Sequence, residues 1–154
     1  MISIRKATVD DLKKVHEIEI LSFKEGSYPL FMLRQLFDIS EDYFLIAEEE
    51  DKILGYALGN LVAKEEQGWI LSLGVHPGAR GKQIGKTLTK ELIGLLEDND
   101  CKEICLTVHP DNASAIKIYK TLDFEIITLS DNYYLDNEPR FLMKKEAVSN
   151  IVNS

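Results

Sequence analysis

Between Gly74 and Lys90 the sequence places four cations, Arg80, Lys82, Lys86 and Lys90, and not one carboxylate. An apolar run, residues 69–75, leads into this segment, and a helical pattern with Ile84, Leu88, Leu92 and Leu95 on one face leads out of it. A strand that turns directly into a helix aims the first amides of the helix, and the positive end of its dipole, at one spot. Such a turn suits a di- or polyphosphate, with backbone donors at close range and the cations closing over them. It reads equally as a plain strand-to-helix turn with solvated Lys and Arg side chains. The segment is neither G-x-x-x-x-G-K-(S/T) nor G-x-G-x-x-G, so nucleotide hydrolysis and dinucleotide binding gain no support.

The local excess of positive charge runs against the rest of the chain. Among 154 residues, 18 Lys and Arg face 26 Asp and Glu, a formal net charge of −8. That balance argues against sequence-independent nucleic-acid or membrane binding, and neither is expected as a partner. The length fits one domain, expected over residues 1–146, with a frayed tail over 147–154. The N-terminal segment lacks the apolar stretch of a signal peptide, and no apolar run approaches the roughly 20 residues that span a bilayer. A cytoplasmic setting is therefore expected. Cys101 and Cys105 are four residues apart with no CxxC spacing and no adjacent His, so they read as reduced thiols, and no metal site is expected.

Patterning along the chain predicts an edge-like strand over residues 1–7. Thr8 and Asp11 resemble a capping box ahead of a helix over 9–22, with Leu12, Val15, Ile18 and Leu21 or Ser22 on its apolar face. A loop over 23–29 and a short helix over 30–38 follow. Strands over 43–49 and 53–62 form a hairpin about Glu50-Asp51-Lys52. The strand over 69–75 and the helix over 84–98 lead to a strand over 102–108, a helix over 112–122, and closing strands over 124–134 and 140–144. The order β-α-α-β-β-β-α-β-α-β-β predicts a mixed α/β domain with a mostly antiparallel sheet and a central strand-helix-strand unit.

The run Leu73-Gly74-Val75-His76-Pro77, continued by Arg80-Gly81-Lys82-Gln83-Ile84-Gly85-Lys86-Thr87-Leu88, resembles the acetyl-CoA-binding motif of GNAT N-acetyltransferases, (R/Q)-x-x-G-x-(G/A). The segment Asn112-Ala113-Ser114-Ala115-Ile116-Lys117-Ile118-Tyr119-Lys120-Thr121-Leu122-Asp123-Phe124 is similar to the family's N-x-x-A-x-x-x-Y-x-x-x-G-F. The subgroup that acetylates protein N-termini, RimI-like enzymes included, is the most similar, and Phe124 to Tyr134 resembles its C-terminal hairpin. Gln83 stands where the motif has its central Gly, and Asp123 where it has the Gly before Phe124. The fold that the resemblance implies is a GNAT-like three-layer α/β (α+β) domain. Its mixed, mostly antiparallel seven-stranded sheet is flanked by about four helices, and acetyl-CoA lies in a cleft where strands 69–75 and 102–108 splay apart.

The resemblance also implies roles. The backbone of Leu73, Gly74 and Val75 would bind the pantetheine, with an amide near Leu73 polarising the thioester carbonyl. Arg80, Gly81, Lys82, Gln83, Ile84, Gly85 and Lys86 would hold the pyrophosphate, and Asn112, Ala115 and Tyr119 complete the acetyl-CoA contacts. Tyr119 would give a proton to the departing thiolate; a core tyrosine is the plainer reading of the same residue. Relatives carry Glu or His at the position of Thr107, or Tyr at that of Trp69, and this chain has none of these. Candidates for the base are His109, two residues past Thr107, Glu25 in the loop between the first helices, and a water chain anchored on Thr107 or Ser72. Phe23, Tyr28, Tyr133 and Tyr134 match regions that line the peptide groove; in a strand, Tyr133 and Tyr134 would point to opposite faces.

An α-amine has a pKa of about 7.7 to 8.0, whereas a Lys side chain at about 10.4 costs roughly 4 to 5 kcal/mol to deprotonate at pH 7. A chain without an obvious strong base therefore favours N-terminal amines over lysine. The expected activity is transfer of the acetyl group of acetyl-CoA to protein or peptide N-termini, with ribosome or ribosomal-protein association consistent with the resemblance. A small-amine N-acetyltransferase and a non-catalytic acetyl-CoA-binding module are the alternatives. The sequence leaves the oligomeric state open.

Overall fold

In the computed structural model, which describes residues 1–148, seven strands and four α-helices follow one another in the expected order. The strands are β1 (Ser3–Lys6), β2 (Phe44–Glu49), β3 (Lys52–Val62), β4 (Gln67–Val75), β5 (Glu103–Val108), β6 (Glu125–Ser130) and β7 (Arg140–Glu146). The helices are α1 (Leu12–Phe23), α2 (Leu30–Ser40), α3 (Ile84–Glu97) and α4 (Ala113–Thr121). The sheet order is β1-β2-β3-β4-β5-β7-β6. The pairs β1–β2, β2–β3, β5–β7 and β6–β7 are antiparallel, and β4–β5, connected through α3, is parallel. The expected edge position of β1 and the central strand-helix-strand unit are both present. Among the described residues no helix is long and apolar enough to cross a membrane.

The chain divides into two compact units. The first comprises Met1–Gly59 and Ser72–Leu92. Here α1 begins behind a 3-10 turn, Val9–Asp11, where the Asp11 carboxylate accepts the Thr8 amide at 2.7 Å and the Thr8 hydroxyl at 3.1 Å. The same carboxylate takes two hydrogen bonds from Arg5, which holds its pKa below the ordinary carboxylate value. On α1 the residues Leu12, Val15 and Ile18 are buried with Glu19, while Leu21 is exposed and Ser22 is half-buried. The β2–β3 hairpin turns through Glu50 and Asp51, both at positive φ (52° and 64°), as a two-residue hairpin turn with right-handed strand twist demands. The register shifts between Ala47 and Glu48, beside Leu54, whose carbonyl accepts the His76 amide at 2.7 Å. That hydrogen bond caps the end of β4.

The second unit comprises Asn60–Leu71 and the chain from Ile93 onward. The parallel ladder pairs Gln67–Ile70 with Glu103–Leu106, while β4 itself runs on to Val75. Ile104, Cys105, Leu106 and Met143 form the interior, together with Leu96. Leu96, four residues past Leu92, rather than the expected Leu95, continues the buried stripe of α3. β6 ends at Ser130, four residues earlier than expected, and residues 131–139 form an organised loop. Its turns place Leu135 and Asn137 at positive φ (63° and 61°), with the Asn137 amide donating to Asn132 Oδ1 at 2.7 Å. Ala147 and Val148, the first two residues of the expected frayed tail, are hydrogen-bonded. The Ala147 amide donates to the Lys102 carbonyl at 2.9 Å and the Val148 amide to the Glu97 carboxylate; the remainder of that tail, 149–154, lies outside the described residues.

Candidate active site

The cationic turn takes the form expected of it. After β4 the chain makes a 3-10 turn, Pro77–Ala79, started by His76, whose Nδ1 accepts the Gly78 amide at 3.0 Å. Ala79, the last residue of that turn, is buried. Arg80, Gly81, Lys82 and Gln83 are then exposed, and α3 begins at Ile84. Thr87 is the first residue whose amide bonds back along the helix, to the Gln83 carbonyl at 3.0 Å. The amides of Ile84, Gly85 and Lys86 therefore have no intrahelical acceptor and face the turn with the dipole's positive end. Lys86 is half-buried. Gly81 has φ +88°, and Gln83 has φ +59°. The family motif's glycine position is thus a left-handed one that Gln83 occupies with a Cβ, at a conformational cost of about 1 kcal/mol.

One strand away, Leu73, Gly74 and Val75 end β4 in the same unit. A Cβ at Gly74 would lie 2.5 Å from Cε1 of Tyr56, so glycine here is dictated by the Tyr56 ring and not by turn geometry. Tyr56, fully buried on β3, donates its hydroxyl proton to Glu19 Oε2 and lies 3.0 Å from Ser72 Oγ. Ser72 also donates to Glu19 Oε2 at 3.0 Å, and the Tyr28 amide donates to Glu19 Oε1 at 2.9 Å. Burial pushes the Glu19 carboxyl up, partly offset by the donors from Tyr28 and Ser72. Sequence reasoning named Tyr28 and Ser72 but missed Glu19 and Tyr56. A carboxylate at the position four after Val15, on the buried side of α1, was the signal that could have found the cluster. Phe23 is half-buried at the end of α1, Tyr28 is half-buried beyond the 3-10 turn Lys24–Gly26, and Glu25, within that turn, is exposed.

In the second unit, Asn112 caps α4: its Oδ1 accepts the Ala115 amide at 3.3 Å. Two turns on, Tyr119 is 6% exposed and packs edge-on against Phe124, ring centroids 5.7 Å apart. Burial raises the Tyr119 phenol well above its ordinary value, so it holds its proton throughout the neutral range. Asp123 has φ +73°, the left-handed turn position where an Asp side chain is tolerated, and it lets the Phe124 amide fold back to the Tyr119 carbonyl at 3.0 Å.

Thr107 and Tyr134 come together, with Oγ1 and the phenol oxygen 2.6 Å apart. His109 lies just past the end of β5, outside the strand; its Nδ1 accepts the Asp111 amide at 3.0 Å and its Nε2 is 3.2 Å from Glu138 Oε2. Tyr133 and Tyr134 do not alternate as strand residues, because β6 has already ended. They sit in a turn with their rings edge to face, 4.8 Å between centroids, and the Arg140 guanidinium lies 5.3 Å from the Tyr134 ring centre. Both are exposed, and the loop rather than sheet pleating sets their direction.

A family model described as "Acetyltransferase (GNAT) family" matches residues 12–124. An uncharacterized N-acetyltransferase of Methanocaldococcus jannaschii is 33% identical over 144 residues, covering 93% of this chain and 90% of its own. An N-alpha-acetyltransferase of Sulfurisphaera tokodaii is 27% identical over 151 residues, covering 91% and 90% respectively. In fold, the chain is similar to the crystal structure of Ard1 from Thermoplasma volcanium, with a TM-score of 0.89 over 96% of this chain and 99% of that one, at 22% identity.

Proposed function

The chain belongs to the acetyltransferase (GNAT) family, and on that premise we propose that it moves the acetyl group of acetyl-CoA to the α-amine of protein or peptide N-termini. The relative from Sulfurisphaera tokodaii, named for that activity, supports the reading across most of the chain. The structural observation that carries it is the engagement of Thr107 with Tyr134. The family resemblance implies Glu or His at this strand position; here it holds a pair of hydroxyls. Hydroxyls suit an amine with a pKa of about 7.7 to 8.0, a tenth or more of which is already neutral at pH 7, better than a lysine at about 10.4.

The residues of the first unit fit acetyl-CoA. The free first-turn amides of Ile84, Gly85 and Lys86 point where an anion would sit, and Arg80, Lys82 and Lys86 belong to the same segment, which has no carboxylate between Gly74 and Lys90. Acetyl-CoA supplies a thioester whose carbonyl carbon is the electrophile. The backbone of Leu73, Gly74 and Val75 holds the pantetheine arm, and the Leu73 amide polarises the carbonyl. Phe23 and Tyr28 line the path of the acceptor peptide, and Glu25 is the nearby carboxylate available to take a proton from its amine.

In the second unit Tyr119 is the phenol that donates a hydrogen bond toward the departing sulfur and gives its proton as the thiolate leaves. Asn112 and Ala115 start the helix that carries it. Tyr133 and Tyr134 present ring edges and hydroxyls to the peptide backbone, and His109, close to Glu138, is the second basic group within reach of solvent.

The test is to incubate the protein with acetyl-CoA and short peptides that differ in their first two residues, and to follow release of free CoA. Peptide-dependent release that disappears when the N-terminus is blocked is the expected result. Release with polyamines but with no peptide would replace the α-amine reading with a small-amine one. Acetyl-CoA binding without release to any acceptor would make the protein a binding module.

A further inference from the structure

Glu19 lies in neither sequence motif, yet it is 1% exposed and each of its oxygens is engaged by a different part of the first unit. Oε1 receives the amide of Tyr28, in the segment that follows α1. Oε2 receives the hydroxyls of Tyr56 on β3 and Ser72 on β4. Ser72 immediately precedes Leu73, and the Tyr56 ring occupies the space that a side chain at Gly74 would need. One carboxyl group thus joins the segment that carries Tyr28 to the strand that carries Leu73, Gly74 and Val75.

We propose that Glu19 is a positioning residue for acetyl transfer: it sets the Tyr28 segment against the end of β4, and so places the acceptor amine relative to the polarised thioester. The proposal rests on the reading of Tyr28 as a peptide-lining residue and of Leu73 as the carbonyl donor. Glu19 touches neither substrate; it acts through the two backbones that it fixes.

Filling space alone does not explain a carboxyl group here. The position is four residues after Val15 on the buried side of α1, where an aliphatic side chain would avoid the desolvation cost. A carboxylate has acceptor sites for an amide and two hydroxyls arriving from three elements, which an aliphatic chain lacks. Displacements of about 1 Å at a reacting centre cost about 100-fold in rate, so a group that fixes two segments to each other has large leverage without contacting substrate.

The experiment compares Glu19→Ala, Glu19→Gln and Glu19→Asp in the full chain, measuring peptide KM and kcat, acetyl-CoA Kd, and hydrogen exchange at the Tyr28 amide. Glu19→Ala is expected to lower kcat/KM for peptide by about 10- to 100-fold, with acetyl-CoA Kd unchanged and Tyr28 protection lost. Glu19→Gln, whose carboxamide oxygen still accepts the Tyr28 amide, should restore most of the peptide KM and the protection. Should the Ala variant fail to fold, Glu19→Asp, one methylene shorter, is expected to raise peptide KM in the same direction. Wild-type peptide kinetics in a folded Ala or Asp variant, or loss of acetyl-CoA affinity in proportion to peptide affinity, would overturn the proposal. Wild-type protein that acetylates no peptide would defeat the α-amine reading instead. Unchanged Tyr28 exchange in a folded Glu19→Ala variant would defeat the role of Glu19, whichever way that first result falls.

Discussion

Each compact unit buries a tyrosine, and the two phenols are treated in opposite ways. Tyr56 is enclosed in the first unit with its hydroxyl committed to Glu19 and Ser72. Tyr119 of the second unit packs by its ring edge against Phe124, and burial alone raises its phenol. The first hydroxyl is spent inside the protein, where it satisfies a buried carboxyl and holds β3, β4 and α1 in one arrangement. The second is raised by burial and stays protonated at neutral pH, and under the proposed function it is the group that serves the departing thiolate. On that proposal, burial by itself does not separate a structural tyrosine from a catalytic one; the partners of the hydroxyl do.

The contrast breaks most visibly in rate. Tyr119→Phe should lower kcat by about 100-fold or more, the typical share of a general acid, with acetyl-CoA affinity and melting temperature close to wild type in CoA-release and thermal-unfolding assays. An unaffected rate would move Tyr119 into the class of Tyr56. The mirror experiment is Tyr56→Phe, which withdraws a buried donor from a carboxyl and should cost about 2 kcal/mol, a melting temperature lower by about 5 °C. Turnover should stay near wild type, because the Tyr28 amide still holds Glu19 Oε1 and the Ser72 hydroxyl on β4 still holds Oε2.

Gly74→Ala pushes a methyl into the Tyr56 ring and should destabilise by about 1 to 2 kcal/mol, read from denaturant midpoints. No loss would mean that the ring moves aside easily and that the first unit is less tightly set than its hydrogen bonds suggest. Glu19→Gln sharpens the same point through pH. Burial raises the folded-state pKa of Glu19 above its unfolded value, so the neutral form is favoured on folding. That contribution is fully present below the unfolded value of about 4.3 and is lost as pH rises through the folded one. The wild type should therefore lose stability relative to Glu19→Gln across that rise, as chemical denaturation at stepped pH would record; a constant difference would contradict it. The smallest effect belongs to the exposed pair of the second unit. A double-mutant cycle of Thr107→Val and Tyr134→Phe should give a stability coupling of about 0.5 kcal/mol, because water replaces what each hydroxyl loses.

Much of the fold was written locally. Apolar periodicity placed α1 and the strands to within a few residues, and Thr8 with Asp11 marked the first helix start. The sign reversal after Gly74 identified the turn into α3, and Asp123 sits in the left-handed turn that its place before Phe124 implied. The β6 boundary was misread because Ile126, Ile127 and Leu129 continue an apolar pattern into residues 131–134, where Asp131 and Asn132 are the turn formers. Tyr133 and Tyr134 accordingly meet in a turn rather than dividing between two faces of a strand.

The sequence by itself determined the element order, the cationic turn, and the positions of Tyr119 and Gln83 within their motifs, since these depend on residues within about two helical turns of one another. The tertiary structure alone decided that Glu19, Tyr56 and Ser72 share a proton network, that Gly74 is small to admit a ring from β3, and that Thr107 meets Tyr134. Those partners are between 16 and 53 positions apart along the chain. No periodicity or motif spacing carries information over such separations. It arises only when strands pair and α1 packs, and buried polar groups must then find partners among whatever folding has brought beside them.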